Sequence, residues 1–284
     1  MSGTAADEVL RDLRSEGEEL DALVAPLAEG ADGRWTAGTP APGWTVAHQI
    51  AHLVWTDERA LLAVREPELF RREAQEALAD PGAVRTYVDA GARRGAARPP
   101  AELLATWRTG RKALAGALEG LAASPAKHRI PWYGPPMSAA GMATARLMET
   151  WAHGEDIAAA LGVRREPTAR LRHVAWIGVR TRDFAYAVHG LEPPAEPFRV
   201  ELVPPGAAPG DRTLWTYGPE AAPQRVSGPA LDFCLLVTQR VHRDDTSLRA
   251  EGADAERWLG IAQAFAGPPG TGREPGTGRT GGPP

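Results

Sequence analysis

The chain has 284 residues, 43% of them hydrophobic and 24% charged, with a formal net charge of −4. That is ample material for one large core or two smaller ones, and it gives no electrostatic case for nucleic acid or an anionic membrane surface. The single cysteine, Cys234, excludes an intramolecular disulfide and a cysteine-rich metal site.

The polar, acidic start lacks the basic-then-apolar pattern of a signal peptide, and no uncharged apolar run approaches a membrane span. The expectation is a soluble cytoplasmic protein acting on a small molecule, with no nucleic-acid or membrane partner. Thr4 reads as the cap of a first helix with Asp7 as the reciprocal acid, and Val9, Leu10, Leu13, Leu20, Leu23 and Val24 follow at helical spacing up to Gly30. After a loop over 38–43, Thr45 is placed to cap a second helix whose buried face is Val46, Ile50, Leu53 and Val54. Pro67 opens a third, interrupted at Asp80-Pro81 and running on to about Arg94. A fourth is expected over 101–121, with Leu103, Leu104, Trp107, Leu114 and Leu118 on one side. A proline-rich loop over 124–138 carries Trp132, Tyr133 and Met137, in a place to wall a pocket or simply to cover the bundle end. Ser138 then caps a helix that Gly162 closes, and Pro167 starts another reaching about His189.

Beyond Pro193, Pro194 and Pro197 the period changes from helical to alternating. Strands are expected over 198–202, 211–217, 225–227 and 247–250, with a helix from Gly228-Pro229 through Arg240 and a last one over 253–265. From Gly267 onward the chain is Gly, Pro, Thr and charged residues, which predicts disorder. The expected fold is mainly α, α+β overall: a four-helix bundle over 1–192, a small α+β domain over 193–266, and a disordered tail over 267–284.

Chemistry concentrates in the helix over 138–161. Glu149 and His153 are four apart and share a helix face. His52 lies in another apolar helix. Should the two helices pack side by side, His52, Glu149 and His153 converge on one divalent ion. Two imidazole nitrogens and a carboxylate oxygen, with a place left for water, is the ligand set of catalytic rather than structural zinc. Each residue also has a plainer reading: His52 as a satisfied core histidine, Glu149 as a solvated acid or a partner of Arg146, and the i, i+4 pair as chance. His48, one turn before His52, could supply a fourth ligand; it falls three residues after Thr45, in the exposed first turn, where a structural role is favoured. His128, His173, His189 and His242 have no partner at ligand spacing. Asp156, three beyond His153, is either a carboxylate holding an imidazole N–H or an ordinary exposed acid.

The stretch Gly43-Trp44-Thr45-Val46-Ala47-His48-Gln49-Ile50-Ala51-His52-Leu53, taken with Met148-Glu149-Thr150-Trp151-Ala152-His153-Gly154-Glu155-Asp156-Ile157-Ala158, resembles the mycothiol-dependent maleylpyruvate isomerase family, a branch of the DinB-like metal-binding four-helix bundles. The segment Gly228-Pro229-Ala230-Leu231-Asp232, followed by Leu248-Arg249-Ala250-Glu251-Gly252, resembles that family's small sterol-carrier-like C-terminal domain. The resemblance implies a divalent metal, usually zinc, on His52, Glu149 and His153, and mycothiol as an external thiol cosubstrate. It also implies an arginine from the C-terminal domain acting in catalysis; Arg240 is the candidate and Arg243 its competitor. Where the family commonly has an acid in the first turn of the second helix, this chain has His48, a departure at a cap.

Three functions remain open at this level. The first is a thiol-dependent isomerase or S-transferase. The second is a thiol-independent metal-dependent hydrolase or lyase using metal-activated water. The third is a non-catalytic protein holding an apolar ligand in its small domain.

Overall fold

The computed structural model describes residues 5–30, 33–79, 81–208, 210–267, 269–270 and 272–276. Thr4, expected as a cap, lies outside them, as do residues 268, 271 and 277–284 of the expected tail. The described residues fall into two compact units that divide at Val163/Arg164.

The first unit holds α1 (Ala5–Glu29), α2 (Val46–Arg65), α3 (Pro67–Leu78), α4 (Pro81–Ala96), α5 (Pro100–Ala123) and α6 (Ala139–Ala160). Its bundle is α1, α2, α5 and α6: α1 packs on α5 and α6, and so does α2. The helical spacing seen in the sequence becomes the core here. Leu20 and Val24 of α1, Ile50 and Leu53 of α2, and Leu103 and Trp107 of α5 are all buried in one cluster. The expected third helix is two, α3 and α4, each opened by a proline whose missing N–H costs nothing at a first turn. α6 is buried nearly all round, polar residues included: Thr144, Arg146, Thr150, His153 and Asp156 lie within it beside Met142, Leu147, Trp151 and Ile157. Ser138 caps it, Oγ accepting from the Gly141 N–H at 3.1 Å. Gly162 leaves it at φ 66°, a backbone conformation open to glycine.

The second unit holds α7 (Leu171–Arg180), α8 (Arg182–Val188), β1 (Phe198–Val203), β2 (Trp215–Tyr217), β3 (Gln224–Pro229), α9 (Ala230–Val237), β4 (Arg249–Glu251) and α10 (Ala253–Ile261). The sheet order is β2-β1-β3-β4, with the central pair β1–β3 parallel and both outer pairs antiparallel. The expected hairpin pairing is present, with Val200 opposite Tyr217 and Leu202 opposite Trp215.

Four further expectations change. The boundary falls at Val163/Arg164, earlier than 192/193, because α7 and α8 are built against the sheet unit. Gly178 of α7 lets α9 approach so closely that a Cβ there would meet Val237 at 2.8 Å. Cys234 Sγ donates to the Leu171 carbonyl at 3.4 Å, and the Tyr186 hydroxyl donates to the Asp254 carbonyl at 2.9 Å. The single helix expected over 167–189 is broken at Thr181 into α7 and α8. α9 stops at Val237 rather than Arg240, because Gln239 turns to φ 59°. Part of the expected disordered tail is tied down: the Gly276 N–H donates to the Asp245 carboxylate at 3.0 Å.

Candidate metal centre

α2 and α6 lie against each other in the bundle and bring His52 opposite Glu149 and His153. His52 Nε2 is 3.4 Å from Glu149 Oε2, and His153 Nε2 is 3.1 Å from the same oxygen. One ligand-type atom from each of the three residues lies within 4.8 Å of the others. Metal–nitrogen and metal–oxygen bonds of about 2.0–2.2 Å at a tetrahedral angle put neighbouring ligand atoms roughly 3.3–3.5 Å apart. The 3.4 Å separation sits at that spacing and the 3.1 Å one slightly inside it, so the residues present fit a divalent ion.

The electrostatics suit a cation as well. Burial alone would push the Glu149 carboxyl up. The hydrogen bonds and charges of His153 and His52 outweigh it and hold the group well below the usual carboxylate range. Its side chain is 20% exposed while both imidazoles are at 10%, so the site opens to solvent beside the carboxylate. His52 Nδ1 is buried with no hydrogen-bond partner among the described residues.

The imidazoles are packed between aromatic rings. The Trp44 ring lies 5.3 Å from that of His52, and 6.1 Å from that of His153 at an interplanar angle of 17°. On the other side Trp55 is 6.2 Å from His52. Tyr133 stacks on Trp55 at 6.4 Å and 14°, and Tyr87 meets Trp55 edge-on. The 124–138 loop thus does contribute a wall near the site, through Tyr133; Trp132 is turned onto Phe70 instead. Along α2 His48, His52 and Trp55 share one face, because spacings of four and three return to it, and Trp44, just before the helix, packs its ring beside those of His48 and His52.

His48 does what its place in the first turn predicts. Its Nδ1 accepts from the Thr45 N–H at 3.3 Å and lies 2.8 Å from Thr45 Oγ1, closing a capping box with histidine in the role usually taken by glutamate. Burial and the Arg93 charge lower its pKa. Asp156 is buried rather than exposed, at 2%. The acceptor at His153 Nδ1 is Gln49 Oε1, from the facing helix. Arg146, considered as a partner of Glu149, instead donates from Nε to Asp57 Oδ1 at 2.9 Å and from Nη2 to Thr56 Oγ1 at 2.6 Å. Arg240 lies in the second unit, where its Nη1 donates to the Thr238 carbonyl at 2.5 Å; Arg243 donates to Thr246 Oγ1 and Glu256.

Two contributors escape a reading of the sequence: Gln49, and the Trp44 indole as a cover over both imidazoles. Gln49 is fully buried on a helix whose Val46 and Ile50 are buried too. A buried amide needs partners, and that was the available signal. Its partner lies 104 residues away.

Residues 13–158 match the family model described as the mycothiol maleylpyruvate isomerase N-terminal domain, and residues 194–251 match one described as wyosine base formation. Proteins from two strains of Mycobacterium tuberculosis, both described as uncharacterized, are 56% identical over 262 residues, covering 92% of this chain and 96% of theirs. The fold is similar to that in a crystal structure of the mycothiol-dependent maleylpyruvate isomerase, with TM-score 0.55 at 16% identity, covering 86% of this chain and 92% of that one. A histidine-to-alanine mutant of that isomerase matches with TM-score 0.53 at 16% identity, over 83% of this chain and 89% of its own. No helix among the described residues is long and apolar enough to cross a membrane.

Proposed function

The chain belongs to the mycothiol maleylpyruvate isomerase family, and on that premise we propose that it is a metal-dependent enzyme, using an external thiol to isomerise or S-conjugate an electrophilic small molecule. The observation that carries this reading is the convergence of His52, Glu149 and His153 from two helices at the spacing of ligand atoms around one ion. We assign zinc as the ion and mycothiol as the thiol, following the family. A divalent ion held there supplies positive charge that favours the ionised form of a thiol beside it at neutral pH.

The nucleophile has to come from outside. Cys234 is fully buried, its S–H is engaged with a backbone carbonyl, and burial pushes its pKa well up. The protein's own side chains do the rest. The Glu149 carboxylate would offset one unit of the ion's charge, and His52 and His153 would hold it through neutral imidazoles. Trp44 and Trp55 keep bulk water off the imidazoles and present flat apolar faces to whatever enters. The thiolate sulfur then adds to an electron-poor carbon of a conjugated acid or ketone, the displaced π pair moving onto the carbonyl oxygen. Rotation about the new single bond and expulsion of the same sulfur give the isomer; protonation of the adduct gives the S-conjugate. Arg240 is the proposed clamp for a substrate carboxylate, and Arg240→Ala should raise KM for an anionic substrate while leaving metal content unchanged.

Elemental analysis of the purified protein, with thiol-transfer assays of Glu149→Ala and His153→Ala, tests the assignment. Both variants should fold, lose stoichiometric metal and lose thiol-dependent turnover. Folded variants that keep metal and turnover would overturn it. Turnover by the wild type with no thiol present would move the assignment to a hydrolase or lyase.

A further inference from the structure

The imidazole of His153 is held from behind by a chain of hydrogen bonds whose direction follows from its far end. The Trp44 carbonyl can only accept. It takes the Thr39 N–H at 2.8 Å and the Thr39 hydroxyl at 3.0 Å. That hydroxyl has one proton, now spent, so toward Gln49 its oxygen acts as an acceptor. The Gln49 amide therefore turns its NH₂ to Thr39 Oγ1, at 2.9 Å. Its carbonyl oxygen must then face His153 Nδ1, as the structure shows. A carbonyl oxygen facing a ring nitrogen demands an N–H there, so in the neutral ring the proton is on Nδ1. The lone pair is left on Nε2, the nitrogen 3.1 Å from Glu149.

We propose that Thr39 and Gln49 are positioning residues that fix the tautomer and ring orientation of His153, so that Nε2 is offered to the metal without prior rearrangement. The inference rests on the metal reading above, but the tautomer can be read without the metal. The relay is anchored outside the site. Residues 38–45 are pinned by an antiparallel bridge between Gly38 and Thr45, and by the Trp44 N–H donating to the Ala41 carbonyl at 3.0 Å. Gln49 is fully buried, so water does not compete for its amide. A neutral carboxamide holds the ring without adding the second negative charge that a carboxylate at that place would bring.

The test uses the full-length protein. In metal-free wild type at a pH where His153 is neutral, long-range ¹H–¹⁵N spectra of the imidazoles should show the Nδ1–H tautomer. Gln49→Leu, which removes the acceptor, should shift it toward Nε2–H, the form that can donate to Glu149. Competition titration with a chelator should show about 10- to 100-fold weaker zinc binding for Gln49→Leu. Thr39→Val, which frees the amide to flip, should show a smaller loss. Gln49→Glu keeps an acceptor for Nδ1, with the Thr39 hydroxyl turned from the Trp44 carbonyl to donate to the new carboxylate, and should keep both the tautomer and tight zinc binding; it guards against a Leu variant that fails to fold. The Nε2–H tautomer in wild type, or zinc binding by folded Gln49→Leu within about threefold of wild type, would overturn the proposal. A wild type that binds no divalent metal but shows Nδ1–H would sink the functional reading while leaving the relay standing.

Discussion

Asp57→Ala removes one half of a buried ion pair between α2 and α6. Arg146 is 2% exposed and Asp57 6%. The Nε–Oδ1 distance is 2.9 Å, and Arg146 Nη2 reaches Thr56 Oγ1 at 2.6 Å. Burial pushes the Asp57 carboxyl up even against the Arg146 charge. Deleting the acid strands a guanidinium in the core, at a cost of about 3–5 kcal/mol, a large share of a total stability of about 5–15 kcal/mol. Replacing both partners, as Asp57→Leu with Arg146→Met, removes two desolvated charges together and should be neutral to stabilising. The pair also sets register: His52 lies one and a half turns before Asp57, and Glu149 one turn after Arg146. Urea unfolding followed by far-UV circular dichroism, dominated by the helical unit, reads both variants. A loss under about 1 kcal/mol for Asp57→Ala, or a double variant as unstable as the single, would refute the reasoning.

The α2–α4 contact is close enough that a Cβ at Gly95 would lie 2.7 Å from Ala51 Cβ; Gly95→Ala should cost about 1–3 kcal/mol, visible as a lower thermal midpoint despite alanine's better helix propensity. Asp21 joins α1 to α5: burial raises its pKa, but the hydrogen bonds and charges of Arg108 and Arg111 outweigh it and hold the carboxyl below its ordinary 3.8. A depressed folded-state pKa gives stability that is fully present above about 3.8 and lost as pH falls through the folded value. The stability gap between wild type and Asp21→Asn should therefore be widest near neutrality and shrink in acid, as followed by urea midpoints across pH. Glu149→Gln keeps shape but removes the anion, so zinc affinity should fall by at least tenfold in competition titration.

Local signals determined a good deal on their own. Apolar spacing marked α1, α2, α5 and α6, a proline marked the opening of α3, and alternation marked β1 and β2, because each depends only on residues within a turn or two of one another. The i, i+4 spacing put Glu149 and His153 on one face, and the position of His48 after Thr45 marked a cap, for the same reason. Other features depend on which surfaces meet. That His52 faces the pair, that Arg146 chooses Asp57 over Glu149, and that Gln49 holds His153 are all contacts across about 90 to 105 residues of chain. The unit boundary is of this kind too: the prolines at 193–197 mark a change of period, but whether α7 and α8 pack backward or forward is decided by Gly178 meeting α9. A sequence records the preferences of a segment; a partner far along the chain is chosen only when burial forces each polar group to find one.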